Sequence, residues 1–168
     1  MSRDAMWQVD ASAFPAQGTL EEKLRFLVRY AILAPSSHNT QPWRFRIHER
    51  GVDLESDKTR WLPVADANQR ELYISLGCAL ENLLIAAEYF GLLLEPRYLP
   101  RGEDAQPAVR VHVQRPRVRS AFRPPELFNV IPHRHTNHRP YHPQSLDPDT
   151  LDELQGVAAA VGGDQGQA

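Results

Sequence analysis

The chain has 168 residues, of which 42% are hydrophobic and 24% are charged, and these proportions are typical of one folded soluble domain. A chain of this length can bury a core without help from a disulfide or a structural metal. Its 19 basic and 21 acidic residues give a net charge of −2, which argues against a dedicated nucleic-acid binder or a polybasic protein of the membrane surface.

Cysteine use and hydropathy bear on location. Cys78 is the one cysteine, so no internal disulfide can form, and this fits a reducing compartment. The sequence has no apolar stretch of signal-peptide length at its start, and no run approaches the roughly 20 apolar residues of a membrane span. We therefore expect a cytoplasmic protein without membrane or nucleic-acid partners.

The first predicted element is a helix from Leu20 to Leu33. Thr19 and Glu22 form a capping-box signature, and apolar residues then recur at helical spacing. Pro35 disfavours helical geometry at the residue before it, so the helix is expected to end there.

A predicted hairpin follows this helix. Residues 43–48 alternate apolar and polar side chains, as a half-buried strand does. Gly51 is expected to turn the chain into a returning strand that includes Val52 and Leu54.

The second predicted helix is long and apolar. Asn68 and Glu71 mark its start as a capping box, and Gly91 marks its end. Because apolar residues cover much of its circumference, we expect it to be the buried central helix, with Cys78 as a core residue rather than a nucleophile.

The composition changes between residues 95 and 142. This segment holds nine arginines against four acids, together with eight prolines. Residues 109–113 alternate as a strand, and the prolines predict an extended or looped chain elsewhere in the segment. A last helix is predicted from Asp147 and Pro148 to Gly162, with an apolar face that needs a docking surface.

The densest cluster of candidate functional side chains lies between the first helix and the first strand, in the sequence APSSHNTQPW at residues 34–43. Such a loop can present hydroxyl, amide and backbone groups to a planar polar ligand. An ordinary helix-to-strand connection uses the same residue types to satisfy local backbone groups. The residues alone leave both interpretations open.

Three segments resemble the flavin-dependent nitroreductase family. APSSHNTQPW, followed by WRFRI, is similar to the hallmark of that family, and GCALENLLIAAEYFGL resembles its central helix. RHTNHRPY, at residues 134–141, is similar to the family's Arg-x-Ser/Thr-x-Arg/Lys element, which grips the phosphate and ribityl chain of FMN. The resemblance implies an α+β fold in which a central, mostly antiparallel sheet packs with helices.

The order of these segments resembles one subgroup of the family. In the usual homodimeric members the phosphate element precedes the PSSxNxQPW element, whereas here it comes much later in the chain. This order is similar to that of members in which two nitroreductase-like halves are fused. The resemblance then implies a first half at residues 14–115, an extended Pro- and Arg-rich linker with the phosphate element at 116–140, and the first helix of a truncated second half at 141–162. Relative to the fused family, the fold would be incomplete.

The resemblance also implies which residues hold FMN. One group would bind the phosphate and ribityl end, and the other would line the isoalloxazine ring. The first group is Arg134, Thr136, His138 and Arg139, and the second is Pro35, Ser36, Ser37 and Asn39.

The chemistry of the phosphate end can be argued from the side chains. Arg134 and Arg139 can each direct two donors onto a phosphate. His138 stands where the family has Arg or Lys, so the grip should be weaker or pH-dependent. In the alternative interpretation, these arginines form surface ion pairs with the acids of the last helix, which are Asp149, Asp152 and Glu153.

Four histidines within ten residues suggest a metal site as a further possibility. The cluster contains no cysteine or acid, and two interleaved arginines would repel a divalent cation. We therefore predict no metal site and regard the histidines as part of the loop or of the phosphate site. They are His133, His135, His138 and His142.

The implied function is that of an FMN-dependent oxidoreductase of nitroreductase type. It would transfer hydride from NAD(P)H through the flavin to a nitroaromatic, a quinone or a similar acceptor, and such chemistry requires no catalytic side chain. The expected partners are NAD(P)H, the electron acceptor, and a second copy or another nitroreductase-like half.

Two alternatives remain open. One is a non-catalytic module that binds or sequesters flavin, or a degenerate interaction module that needs a partner half. The other is a polyanion-binding module that uses the Arg-rich segment, whose affinity would fall steeply with salt.

Overall fold

The computed structural model describes residues 9–102, 105–114, 123–137, 139–140 and 142–163. Its architecture is α+β, with a four-stranded antiparallel sheet packed with helices, and this confirms the predicted fold class. The elements are α1 (Leu20–Ala31), β1 (Trp43–His48), β2 (Gly51–Ser56), α2 (Arg70–Tyr89), β3 (Leu93–Tyr98), β4 (Val109–Gln114), α3 (Glu126–Val130) and α4 (Pro148–Gly163).

Helix α1 begins with the predicted capping box. The Thr19 hydroxyl accepts a hydrogen bond of 3.2 Å from the Glu22 amide, and the Glu22 carboxylate accepts one of 2.7 Å from the Thr19 amide. Two backbone donors that helix formation leaves free are thereby satisfied. The regular helix ends at Ala31, two residues before the predicted end.

The strands are ordered β1-β2-β4-β3, and every neighbouring pair is antiparallel. The predicted hairpin of β1 and β2 is confirmed, with Trp43 opposite Ser56 and His48 opposite Gly51. The sequence patterns do not predict β3, because Pro96 lies in its middle. Since β3 is an edge strand, a proline there removes no hydrogen bond that the sheet interior needs.

Helix α2 is the central helix, as predicted, although its capping residue is not the predicted one. Asn68 accepts a hydrogen bond from the Arg70 amide only, while the Asp66 carboxylate accepts from the amides of Glu71 (3.0 Å) and Leu72 (2.9 Å). Gln69 lies between them in the left-handed region, with φ of 60°. The left-handed conformation of Gln69 folds the chain back on itself, so Asp66 can reach the first turn of α2.

One face of the sheet packs against α1 and α2 and forms the core. By length and composition α2 could cross a membrane, but 56% of its most apolar window is buried in this core, as expected for the central helix of a globular fold. Cys78 is half-buried and packs against the core, as predicted. The largest fully buried side chains are Tyr30, Leu24, Leu27, Leu54, Leu76, Leu83, Val52 and Val111.

The segment predicted to be extended between residues 116 and 140 is partly helical. α3 is followed directly by a 3-10 turn at Ile131–His133, and the prediction was wrong for these residues. Pro124 and Pro125 precede α3, and Pro132 lies at the start of the 3-10 turn, so none of them removes a hydrogen bond inside a helix. Residues 116–122 lie outside the described part of the chain.

Helix α4 begins as predicted. The Asp147 carboxylate accepts a hydrogen bond of 2.8 Å from the Thr150 amide and caps the first turn. Its apolar side chains Leu151, Leu154 and Val157 are exposed.

Candidate functional site

The loop between α1 and β1 has an unusual backbone. His38, Asn39 and Gln41 have φ of 49°, 55° and 51°, which places three non-glycine residues in the left-handed region within four positions. Each such residue costs free energy, and residues of this kind concentrate at ligand-binding and active sites. The backbone therefore supports a functional interpretation of the loop over an ordinary connection.

Local hydrogen bonds hold this loop in its conformation. The Ser36 hydroxyl accepts a bond of 2.9 Å from the Gln41 amide, which spans the left-handed residues. The Gln41 side-chain amide donates to the Ile32 carbonyl at 3.4 Å, and Arg60 donates to the Thr40 carbonyl at 3.2 Å. The loop is thereby tied to the end of α1 and to the segment that follows β2.

Ser37 connects the loop to α2. Its hydroxyl donates a hydrogen bond of 2.6 Å to the Glu71 carboxylate, in the first turn of that helix. The backbone of Glu71 is in turn fixed by Asp66. A shallow cleft of about 10 Å³, room for about one water molecule, lies beside this contact and opens to solvent. It is lined by Ser37, Thr40, Pro42, Arg60, Trp61, Leu62, Asp66, Leu72 and Ser75.

The second predicted part of the site reaches the same end of α1. We call residues 123–136 the strap, because they run from α2 to the end of α1. Arg134 donates to the Leu33 carbonyl at 3.4 Å and to the Thr136 hydroxyl at 3.0 Å. Leu33 lies two residues before Pro35, so the strap and the loop are adjacent.

Arg134 retains donor capacity at this position. Its Nε atom is buried and has no hydrogen-bond partner. A buried N–H group without an acceptor is expected where a ligand oxygen or an ordered water completes the site. Among the described residues, no ion pair joins Arg134 or Arg139 to the acids of α4, which was the alternative interpretation of these arginines.

Cys78 of α2 lies within electrostatic reach of Arg134. Burial raises the pKa of its thiol, and the positive charge of Arg134 lowers that pKa in part. The guanidinium is therefore within electrostatic reach of α2 and in contact with Leu33, two residues after the end of α1.

The structure thus brings together several of the predicted site residues. Pro35, Ser36 and Ser37 are half-buried in the loop, with Arg134 beside them, whereas Asn39, Thr136 and Arg139 are exposed. His138 lies outside the described residues. Sequence reasoning missed Glu71 as a site residue, because its place in a capping box explains an acid there without any contact to the loop.

The histidine cluster gives no metal site in the part of the chain that the structure describes. No group of three His, Cys, Asp or Glu side chains lies close enough there to hold an ion. His133, His135 and His142 are exposed.

Several known proteins with similar sequences are named as NAD(P)H nitroreductases. The chain is 33% identical over 120 residues to "Putative NAD(P)H nitroreductase Rv3131" of Mycobacterium tuberculosis. The matched region covers 71% of this chain and 34% of the relative. It is 32% identical over 81 residues to "Putative NAD(P)H nitroreductase acg" of the same organism, covering 48% and 24% of the two chains. It is 26% identical over 133 residues to "Probable NAD(P)H nitroreductase PigM" of a Serratia species, covering 77% and 37%.

These matches extend over only part of each relative, and the chain spans about one third of the length of the relatives with the highest coverage. No protein-family model matches the chain. The relatives nevertheless share the name of the family whose motifs the sequence carries, and the fold has the architecture those motifs imply. The chain is a member of the nitroreductase family.

Proposed function

We propose that the chain binds FMN and takes part in an NAD(P)H-dependent oxidoreductase reaction of nitroreductase type, with a nitroaromatic, a quinone or a similar acceptor as the second substrate. The observation that carries this proposal is the contact of Arg134 with the carbonyl of Leu33. It joins the phosphate-binding element to the PSSxNxQPW loop within one chain. The names of the relatives support the same class of reaction.

The end of the strap suits the phosphate of FMN. Arg134 and Thr136 are already in contact at 3.0 Å, so a guanidinium and a hydroxyl can donate to one anion. Arg139 is exposed three residues further on and can add a second guanidinium. The buried Nε–H of Arg134 is a further donor that lacks an acceptor.

The loop suits the ring of the flavin. Its left-handed residues and its hydrogen bonds to α1 and α2 fix Pro35, Ser36 and Ser37 before any ligand binds, so ordering the loop costs little on binding. Bound FMN would supply the hydride chemistry itself, and the residues of this chain would bind and orient it. No acid, base or nucleophile of the protein is required.

We further propose that a second polypeptide half completes the site. Asn39, Thr136 and Arg139 are exposed, and the cleft beside Ser37 is shallow, so this chain alone leaves one side of a bound flavin open to water. A second copy or another nitroreductase-like half would close it. In this proposal residues 14–115 form the first half, 116–140 connect the halves, 141–162 begin the second half, and the protein is cytoplasmic.

The openness of the site also favours one alternative function. A flavin that stays accessible to water on one side is bound but poorly protected, as in a carrier or a sequestering protein. The chain would then bind FMN without turnover until it pairs with another half.

A visible spectrum, combined with the mass in solution, tests these proposals. Purified protein should be yellow or should take up added FMN, and NAD(P)H should bleach the oxidised-flavin band. Flavin uptake without reduction by NADH or NADPH would select the non-catalytic alternative. Protein that stays colourless, and whose Tm does not rise with excess FMN, would contradict flavin binding altogether.

A further inference from the structure

The strap begins at an ion-pair cluster on α2. Arg123 donates to Glu81 through Nε (2.7 Å) and Nη2 (3.0 Å), and to Glu88 through Nη1 (3.0 Å). One guanidinium therefore binds two carboxylates that lie seven residues apart on the same helix. This forked contact fixes both the position and the direction of the chain at residue 123.

The middle of the strap is held by an aromatic stack. Phe128 is buried, and its ring is parallel to that of Tyr89, with centroids 3.8 Å apart and an angle of 9°. It also lies 4.7 Å from the ring of Tyr30 on α1. Burial of this ring favours docking of the strap, but apolar contact is not directional and permits small shifts along α2.

The ion pairs of Arg123 are a poor source of stability. Only 8% of the Glu88 side chain and 22% of the Arg123 side chain are exposed, so both charges lose most of their hydration. The attraction between partly buried charges does little more than offset this desolvation. A buried charge cluster of this kind is better explained by the register that it imposes than by the stability that it adds.

The chain between Arg123 and Arg134 can transmit that register. Pro124 and Pro125 fix φ directly after Arg123, and α3 with its 3-10 turn occupies the residues up to His133. Few backbone torsions in this stretch are free to absorb a shift. A displacement at Arg123 would therefore move Arg134 relative to the carbonyl of Leu33.

We propose that Arg123 is a positioning residue for the flavin site: by pairing with Glu81 and Glu88 it sets the register of the strap, and so places Arg134 and Thr136 for the phosphate of the ligand. This inference rests on the proposed function, because it assigns the strap's end to the phosphate of FMN. It concerns only the phosphate end, and the ring side of the site is independent of Arg123.

The test compares FMN with riboflavin, which has the same ring but no phosphate. Arg123→Met combined with Glu81→Gln and Glu88→Gln removes all three of these charges together, so none of the three is left without the other two and the fold should persist. We expect the affinity for FMN to fall about tenfold, the loss of one good charge-assisted contact, and the affinity for riboflavin to stay the same. Arg123→Lys should recover part of the difference, because it keeps the charge but not the fork.

The matched control removes an Arg–Glu pair elsewhere. Arg46 and Glu55 form such a pair, with a 3.0 Å separation, on the sheet face opposite the helices. Arg46→Gln with Glu55→Gln should leave both flavin affinities unchanged. Hydrogen exchange in protein without ligand gives a second measure: the amides of Leu127 and Phe128, which donate to the carbonyls of Pro124 and Pro125 within the strap, should exchange faster in the Arg123 variants than in the control.

The outcomes separate the two proposals. If wild-type protein prefers FMN over riboflavin and the triple variant keeps the same preference and the same exchange at Leu127 and Phe128, the role of Arg123 is overturned while the proposed function stands. If wild-type protein binds neither flavin, both the proposed function and this inference are overturned.

Discussion

The Ser37 hydroxyl donates a hydrogen bond of 2.6 Å to the carboxylate of Glu71, and this contact fastens the candidate binding loop to the start of α2. Glu71 can serve as a fixed acceptor because Asp66 holds its backbone amide at 3.0 Å. The order of support is thus from Asp66 to Glu71 and from Glu71 to Ser37. A loop held in this way binds a ligand without first losing its own freedom.

Removal of the Glu71 carboxylate should therefore weaken flavin binding more than it weakens the fold. We expect Glu71→Ala to lower the affinity for FMN and for riboflavin alike, by about five- to tenfold, because in the proposed site the loop faces the ring rather than the phosphate. The change in Tm should be small, since the pair is exposed. Fluorescence titration of both flavins and a thermal melt supply the measurements.

Glu21 provides a matched control for that variant. It is an exposed acid in the first turn of α1, where it pairs with Arg25 at 2.7 Å and has no contact with the loop. Glu21→Ala should leave flavin affinity unchanged. Equal losses in the two variants would mean that the Ser37 contact has no specific role.

Gly51 should be intolerant of any side chain. A Cβ atom at this position would lie 1.9 Å from the Val111 carbonyl oxygen, and the backbone has φ of 154°. Gly51→Ala must push β2 away from β4 at the centre of the sheet. We expect a loss of about 3 kcal/mol or more in the free energy of unfolding, measured by urea denaturation.

The same substitution at Gly77 should have the opposite effect on the free energy of unfolding. Gly77 lies within α2, and a Cβ atom there would meet nothing within 4 Å. Gly77→Ala should stabilise the protein by about 0.5 to 1 kcal/mol, because alanine loses less backbone freedom in a helix. A similar change in the free energy of unfolding for both variants would contradict the close approach of β2 and β4 at Gly51.

The elements that sequence reasoning finds are those in which local signals agree with tertiary packing. Thr19 and Glu22 are sufficient to start α1, and the capping box appears as predicted. Strand β3 cannot be predicted from the sequence, because Pro96 argues against a strand locally. Only the sheet order reveals that β3 is an edge strand, where a proline is tolerated. Helix α3 cannot be predicted either, because the prolines before it indicate a loop in the sequence, although prolines are tolerated directly before a helix.

The candidate site shows the same division. The loop and Arg134 are recognisable as motifs, because each motif is contiguous in sequence. Glu71 is not, since its bond to Ser37 joins residues 34 positions apart. Arg123 likewise carries no local signal, because its partners lie on α2, 35 and 42 positions earlier in the chain. Contacts of this kind follow from the packing of the loop and the strap against one helix.

Acid should destabilise the protein partly through Asp53. The Arg110 guanidinium donates two hydrogen bonds to its carboxylate, at 2.8 and 2.9 Å, and these lower the pKa of Asp53. A carboxyl whose pKa is lowered by folding adds stability above its unfolded pKa of about 3.9 and loses it as pH falls through the folded value. The loss should therefore occur below about pH 4.

Urea denaturation from pH 6 to pH 2.5 can isolate this contribution. Asp53→Asn should be less stable than wild type near neutral pH, and the difference should shrink as the pH falls below about 4. A double-mutant cycle with Arg110→Gln assigns the effect to the pair. A difference that stays constant with pH would show that the Arg110 contact does not act through the ionised carboxylate.

Cys78 can report on the position of the ligand. Burial raises the pKa of its thiol, so little thiolate is present at neutral pH, and Arg134 lies within electrostatic reach. We expect a thiol reagent to label Cys78 at least about tenfold more slowly than in the urea-unfolded chain. Labelling should accelerate as the pH rises toward the folded pKa of the thiol, which lies above the ordinary value.

Bound flavin should change the labelling rate of Cys78 in the proposed site, where the flavin occupies the surface between the loop, α2 and the strap. Saturating FMN should slow labelling further. Riboflavin should protect less, because it lacks the phosphate that Arg134 would bind. Labelling rates that are the same with and without bound FMN would place the ligand away from this edge of α2.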